Sequence, residues 1–202
     1  MKRFGTALIL AGGQSRRMGY DKQKIVLNGQ PLMYRNLEAI SETFDQVLLS
    51  CNRPVLDYDK FDHLEIVADD IAGIGPMAGI MTGLRRATSE YVYILACDAV
   101  YDRRAVDVYI LTIEQMIQTG VTPLMAVAEK SEEYYEPFNG FYHVDLLSDM
   151  IRLIGQCEYA MQPLIRACDP KCVLKRETIE ALGLNKLYLN FNTRCELKAY
   201  KG

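Results

Sequence analysis

With 202 residues, half of them apolar, and a formal net charge of −3, the chain can bury a substantial core but lacks the positive charge of a nucleic-acid surface. No apolar run approaches membrane-spanning length, and Met1-Lys2-Arg3 leads straight into a short strand-like segment without a secretory cleavage region, so cytoplasmic residence is expected. The cysteines at 51, 97, 157, 168, 172 and 195 are scattered and are expected as reduced thiols; Cys168 and Cys172 could supply two metal ligands, but the only histidines, His63 and His143, stand far away in sequence.

Apolar runs alternate with stretches at helical spacing, the pattern of βαβ units and a mostly parallel, Rossmann-like sheet in a three-layer α/β/α sandwich. Residues 4–10 read as the first strand. From its end runs Leu10-Ala11-Gly12-Gly13-Gln14-Ser15-Arg16-Arg17-Met18-Gly19-Tyr20-Asp21-Lys22, with three glycines, a serine, two adjacent arginines and a lysine. Glycines let backbone amides approach an anion closely, arginine forks match phosphate oxygens, and lysine acts as a movable point charge. Neither a Walker A loop nor a dinucleotide fingerprint fits these spacings, yet a loop past a strand's carboxyl end is where open α/β sheets bind ligands. The residues call for a polyphosphate.

A helix is expected from Pro31 to about Thr43, with Leu32, Leu37, Ile40 and Phe44 on its apolar face, then strands at 47–51 and 64–68, the latter ending in Asp69-Asp70. Gly75-Pro76-Met77-Ala78-Gly79 leads into a helix through about Ala87. The near-continuous apolar run 91–96 reads as a strand buried on both faces. A helix at 105–118 and strands at 124–128 and 138–142 follow, with the acidic segment 129–136 between those strands expected to be exposed. The remainder reads as helices from Val144 to a break near Gly155, at 159–167 and at 177–182 with Gly183 as a cap, and strands at 171–174 and 188–191. No repeat or linker divides the chain, so one domain over 1–202 is expected.

Asp98 should emerge at the carboxyl edge of the central strand. A carboxylate facing an anionic ligand needs a cation between them, and Mg²⁺ is the expected bridge; a helix N-cap near Asp102 is the structural alternative. Asn52 stands after the second strand, where an amide could both donate to and accept from a base. Asn190 and Asn192, one apart on a strand, could point the same way or satisfy buried backbone groups. Ser15 and His143 have no catalytic partners in sequence, and Cys97 reads as a strand-end core residue. No triad is indicated.

The string L-A-G-G-x-S-x-R-M-G-x-D-K from Leu10 to Lys22, followed by Gly29, Pro31 and Leu32, resembles the signature loop of the molybdenum-cofactor nucleotidyltransferases, and most closely their guanylyltransferases. Cytidylyltransferases of that group usually carry alanine where this chain has Gly12. The resemblance implies a nucleotidyltransferase fold, GTP and a molybdopterin as substrates, Mg²⁺ on Asp98, and transfer of GMP with release of pyrophosphate. It implies nucleotide contacts from the backbone of Leu10, Ala11, Gly12 and Gly13 and from Asp69, with Asp70 as the other candidate. Arg17 would meet the triphosphate and Lys22 the α-phosphate. Gly75–Gly79 is similar to the family's G-P-L-A-G loop, and Asn190 and Asn192 to an N-x-N-T near the pterin. Three positions depart from the family pattern: Ser50 stands for asparagine, and Val100 and Arg194 for proline. The alternatives left open are CMP transfer, a sugar-phosphate acceptor, and a non-catalytic carrier of nucleotide or pterin. Molybdoenzymes or their chaperones would receive the product.

Overall fold

The computed structural model describes residues 1–12, 21–71, 73–191 and 196–197. Along the chain come strand β1 (Lys2–Leu10), the two-residue strands β2 (Val26–Leu27) and β3 (Gln30–Pro31), helix α1 (Leu32–Ser41), β4 (Gln46–Ser50), β5 (Leu64–Val67), α2 (Pro76–Arg86), β6 (Ser89–Ala96), α3 (Arg103–Gln118), β7 (Met125–Ser131), β8 (Tyr134–His143), α4 (Leu147–Gly155), α5 (Met161–Ala167), β9 (Cys172–Leu174) and α6 (Arg176–Ala181). Seven strands form one sheet in the order β5-β4-β1-β6-β8-β7-β9, and β8 alone runs against the rest. Among the described residues no helix is long and apolar enough to cross a membrane.

Strand geometry explains the two cores. Successive side chains point to opposite faces, so Ala7, Ile9, Tyr91, Tyr93 and Leu95 pack against Met33, Leu37 and Ile40 of α1 and Val106, Tyr109 and Ile113 of α3. Their neighbours Leu8, Leu10, Val92 and Ile94 meet Met77, Ile80, Met81 and Leu84 of α2 and residues of α4 and α5 on the other side. The sheet is covered on both faces, which is why 91–96 carries no polar alternation. These are the three layers expected. A third, smaller cluster of Ile25, Leu27, Leu32, Val100 and Phe191 lies under the β2–β3 hairpin. Valine at 100, where proline was the pattern, is therefore a packed apolar residue.

Two expectations are corrected. Residues 130–134 are exposed as expected, but the segment is a hairpin whose far end turns inward: β7 and β8 continue with Glu129 opposite Tyr135 and Ser131 opposite Tyr134. The register shifts between Ala126 and Ala128, Asn139 takes φ +61°, and Glu136 is turned into the protein. Charge alone reads as solvent-facing; a bulge that re-aims a side chain leaves no signal in the pattern. Residues 188–191 are not a strand. A 3-10 turn occupies Asn185–Tyr188, and Asn190 makes a single antiparallel bridge to Ala99.

Gly140 sits opposite Ile94, and a Cβ there would lie 2.4 Å from the Ala126 carbonyl oxygen, which backbone pairing holds in place. Gly140→Ala should cost about 2–3 kcal/mol, read as a lower urea midpoint at constant slope. Gly155→Ala, at the end of α4 with open space around it, should leave the midpoint unchanged or raise it by up to ~1 kcal/mol. Equal midpoints for the two variants would contradict the close approach at Gly140.

Candidate active site

Because β4, β1 and β6 are neighbours and parallel, their carboxyl ends bring residues 50–52, 10–12 and 96–98 to one edge of the sheet. A cavity of about 720 Å³ opens there, within the usual range for small-molecule sites. The ladder runs one step past the strands: Ala11 N–H donates to Ser50 O (2.9 Å) and Cys97 N–H to Leu10 O (3.0 Å). Gly12 is then the first residue beyond the ladder, on the cavity wall. A Cβ at Gly12 would make only ordinary contact, 3.6 Å from Asp69 Oδ2, whereas one at Gly79 would strike Ser50 Oγ at 2.6 Å. Gly79 thus lets the first turns of α2 lie directly on the ends of β1 and β4.

Asp69 lines the cavity, and its carboxylate is held from two sides. Ser50 Oγ donates to Oδ1 at 2.6 Å and Asn52 Nδ2 to Oδ2 at 3.3 Å, while Asp69 N–H returns a bond to Asn52 Oδ1 at 3.0 Å. Asp70 pairs instead with Arg85, at 2.9 Å, and does not line the cavity. Serine at 50 supplies an orienting hydroxyl for Asp69. Asn52, expected at a base, lines the cavity with its amide already bonded to Asp69.

Lys22 opens a 3-10 turn capped by Asp21, whose side chain accepts from Gln23 N–H. The turn is pinned by Gln23, which is buried. Its Nε2 donates to Arg53 O (3.2 Å) and its Oε1 accepts from Tyr58 OH (2.9 Å). Sequence reading missed Gln23, since a glutamine between two lysines looks like a solvated residue. From this turn Lys22 forms an ion pair with Asp98. Asp98 is 5% exposed, at the end of β6. Its loop is fastened by Asn36 of α1, which donates to Ala99 O (2.8 Å) and accepts from Tyr101 N–H (3.1 Å). The N-cap of α3 is Asp102, which accepts from Arg104 N–H, so Asp98 is not used as a cap.

Glu136 is the acidic residue that sequence reading placed in solvent. Because β8 runs antiparallel to β6, its beginning lies at the edge where β6 ends, and Phe138 joins the cavity wall. Burial pushes the Glu136 carboxyl up, opposed by the nearby Lys130 ammonium. Asn190 Nδ2 donates to Glu136 Oε2 at 3.3 Å. Gly13, Arg17 and Asn192 lie outside the described residues, as do Ser15, Arg16, Arg194 and Cys195.

The remaining nucleophiles and ligands are placed elsewhere. Burial, with Asp98 adjoining, pushes the Cys97 thiol well above its ordinary range, the opposite of an activated nucleophile. His143 pairs with Tyr91 at the far end of β6 from Asp98, and its Nδ1 accepts from Asp145 N–H. Cys172 and Cys168 belong to the cores on opposite faces of the sheet, and burial pushes each thiol up to about 11. Among the described residues no three His, Cys, Asp or Glu side chains gather to hold a metal. Asp98, a buried carboxylate, stands on the cavity wall together with Asp21 and Asp69.

A family model described as the MobA-like NTP transferase domain matches residues 7–171. The molybdenum cofactor guanylyltransferase of Syntrophotalea carbinolica is 32% identical over 199 residues, 98% of this chain and 91% of that protein. The molybdopterin-guanine dinucleotide biosynthesis protein A of Archaeoglobus fulgidus superposes with a TM-score of 0.74 at 20% identity, covering 96% of this chain and 95% of that one. The 2-C-methyl-D-erythritol 4-phosphate cytidylyltransferase of Thermus thermophilus gives a TM-score of 0.66 at 16% identity, with 98% and 96% covered, and shares the fold.

The burial of the thiols makes a direct prediction. Brief iodoacetamide treatment of the native protein at neutral pH should modify exposed Cys157 and spare Cys51, Cys97, Cys168 and Cys172, as mapped by peptide mass spectrometry. Modification of Cys97 at the rate of Cys157 would contradict its assignment to the core.

Proposed function

The chain belongs to the family of MobA-like NTP transferases, and on that footing we propose that it transfers GMP from GTP to the terminal phosphate of molybdenum-molybdopterin, forming the guanine dinucleotide cofactor. The observation that carries this reading is the Lys22–Asp98 pair on the wall of a nucleotide-sized cavity. It presents, at one point, a cation for phosphate and a carboxylate for a metal ion.

A phosphate monoester is already ionised at neutral pH, so the attacking oxygen needs no strong general base. The new bond forms between that oxygen and the α-phosphorus. The bond from the α-phosphorus to the bridging oxygen breaks, and pyrophosphate leaves with the electron pair. Such a reaction depends on positioning and on neutralising charge as it builds. In this reading Lys22 turns from Asp98 to the α-phosphate, and Arg17 meets the rest of the triphosphate. Backbone groups at Leu10 to Gly13 cradle it, and Asp69, fixed by Ser50 and Asn52, holds the nucleoside. Asn190 and Asn192 face the pterin.

Asp98 would hold Mg²⁺. A single buried carboxylate beside a polyphosphate cavity fits that ion, which takes one or two carboxylates together with phosphate oxygens and water. When bound it supplies neutralisation of the departing pyrophosphate. GTP as substrate supports residence in the cytoplasm, and molybdoenzymes or their chaperones would take the product.

With GTP, Mg²⁺ and molybdopterin the protein should release pyrophosphate in step with the dinucleotide, and CTP should serve poorly. Lys22→Ala should lower the rate by about 10²–10³-fold, the usual loss for one charge-stabilising group, in a protein that stays folded at assay temperature although loss of the pair lowers its melting temperature. Preference for CTP would overturn the choice of nucleotide, and full activity of Lys22→Ala would overturn the mechanism.

A further inference from the structure

Between the pairs Ala126–Phe141 and Ala128–Glu136, β7 has one residue, Val127, against four on β8, residues 137–140. Such a bulge re-aims side chains, and bulges gather beside active sites. This one is fastened from the interior of the protein. Tyr142 OH donates to Pro137 O at 2.7 Å and Tyr93 OH to Asn139 Oδ1 at 2.9 Å, both from fully buried rings. Asn139 Nδ2 donates to Leu187 O at 3.3 Å, and Phe138 N–H to Glu136 Oε1 at 3.4 Å. Asn139 itself stands at φ +61°, in the left-handed region that asparagine tolerates better than most residues.

What the bulge presents is Phe138. Its side chain is half-buried, packs against the cores on both faces of the sheet, and lines the cavity. Among the described residues of that wall it is the one aromatic. Ile94 pairs with Gly140, which sets Phe138 beside the end of β6, where Ala96, Cys97 and Asp98 line the same cavity. Ser50 stands at the end of β4, with β1 and β6 between that strand and β8. Three strand spacings amount to roughly 14 Å. A nucleoside held at Asp69, with its α-phosphate at Lys22 and Asp98, therefore leaves the Phe138 ring uncovered.

We propose that Phe138 binds the second substrate: the ring system of the pterin lies on the Phe138 ring, with its phosphate directed to the Lys22–Asp98 pair. The inference deepens the guanylyl-transfer reading and rests on it. A flat heteroaromatic ring offers a π-face whatever its substituents, so stacking holds it without drawing on the polar groups of the site. The bulge supplies rigidity, because a ring on a pinned backbone has little freedom left to lose on binding.

Steady-state kinetics with each substrate varied in turn test this. Pyrophosphate release by the wild type with GTP, Mg²⁺ and molybdopterin comes first; its absence would overturn the parent reading and this inference with it. Given that activity, Phe138→Leu, which keeps an apolar side chain but loses the ring, should raise the KM for molybdopterin about tenfold, within what one stacked ring contributes. The KM for GTP should not change. Phe138→Tyr, which keeps the ring face, should leave both KM values near those of the wild type. Should Phe138→Leu not fold, Phe138→Trp carries the test. The chain has no tryptophan, so the new indole reports alone: molybdopterin should quench most of its emission, and GTP with Mg²⁺ should quench little of it. An unchanged molybdopterin KM in Phe138→Leu, a rise shared with GTP, or Phe138→Tyr as impaired as Phe138→Leu would overturn the inference while leaving guanylyl transfer standing. Tryptophan emission that molybdopterin leaves unquenched, or that GTP quenches as strongly, would do the same.

Discussion

Asp98 is a charge buried at the end of the central strand, and the molecule is arranged so that Lys22 can answer it. An uncompensated buried carboxylate is strongly disfavoured, and removing one partner of a buried pair is costly. The pair therefore ties the turn that begins at Lys22 to the loop after β6, segments 76 positions apart in the chain. Each side is held by a neutral residue with its hydrogen bonds satisfied. Gln23 fixes the turn that carries Lys22, and Asn36 fixes the loop that carries Asp98. The parallel pairing of β1 with β6 sets the distance between them.

The same constraint separates recognition from chemistry. Ser50 and Asn52 hold the Asp69 carboxylate, and the close packing of α2 on Ser50 at Gly79 leaves no room for a side chain. The reversed strand β8 brings Phe138 and Glu136 to the edge, and the chain returns near its end to place Asn190 beside Ala99. A fold shared with a cytidylyltransferase does not decide between these roles; the residues placed on it do.

Much of this was legible in the sequence because the signals were local. The strand ends at Leu10 and Ala96, the small-residue loop before α2, and the apolar spacing of α1 and α3 each follow from periodicity or a cap. Asp98 was legible as well, since a buried run ending in aspartate must expose that charge to something. What stayed hidden depends on contacts distant in the chain. Gln23 is buried only because Tyr58 and the Arg53 carbonyl come to meet it. Glu136 is inward only because β8 bulges at Asn139. That Asp69 and not Asp70 lines the cavity goes with the pairing of Asp70 to Arg85, near the end of α2. Asn190, read as part of a strand, is held by one bridge and a side chain from β8, an arrangement with no periodic signature.

A crystal structure with Mg²⁺ and a GTP analogue that cannot be cleaved between the α- and β-phosphates would test the central claim most directly. The account predicts that the Lys22–Asp98 pair opens. Lys22 Nζ should lie on an α-phosphate oxygen, and Asp98 should face the cation, with the loops held by Gln23 and Asn36 unmoved. Nucleotide bound with the pair intact, or seated away from the ends of β1 and β6, would contradict it.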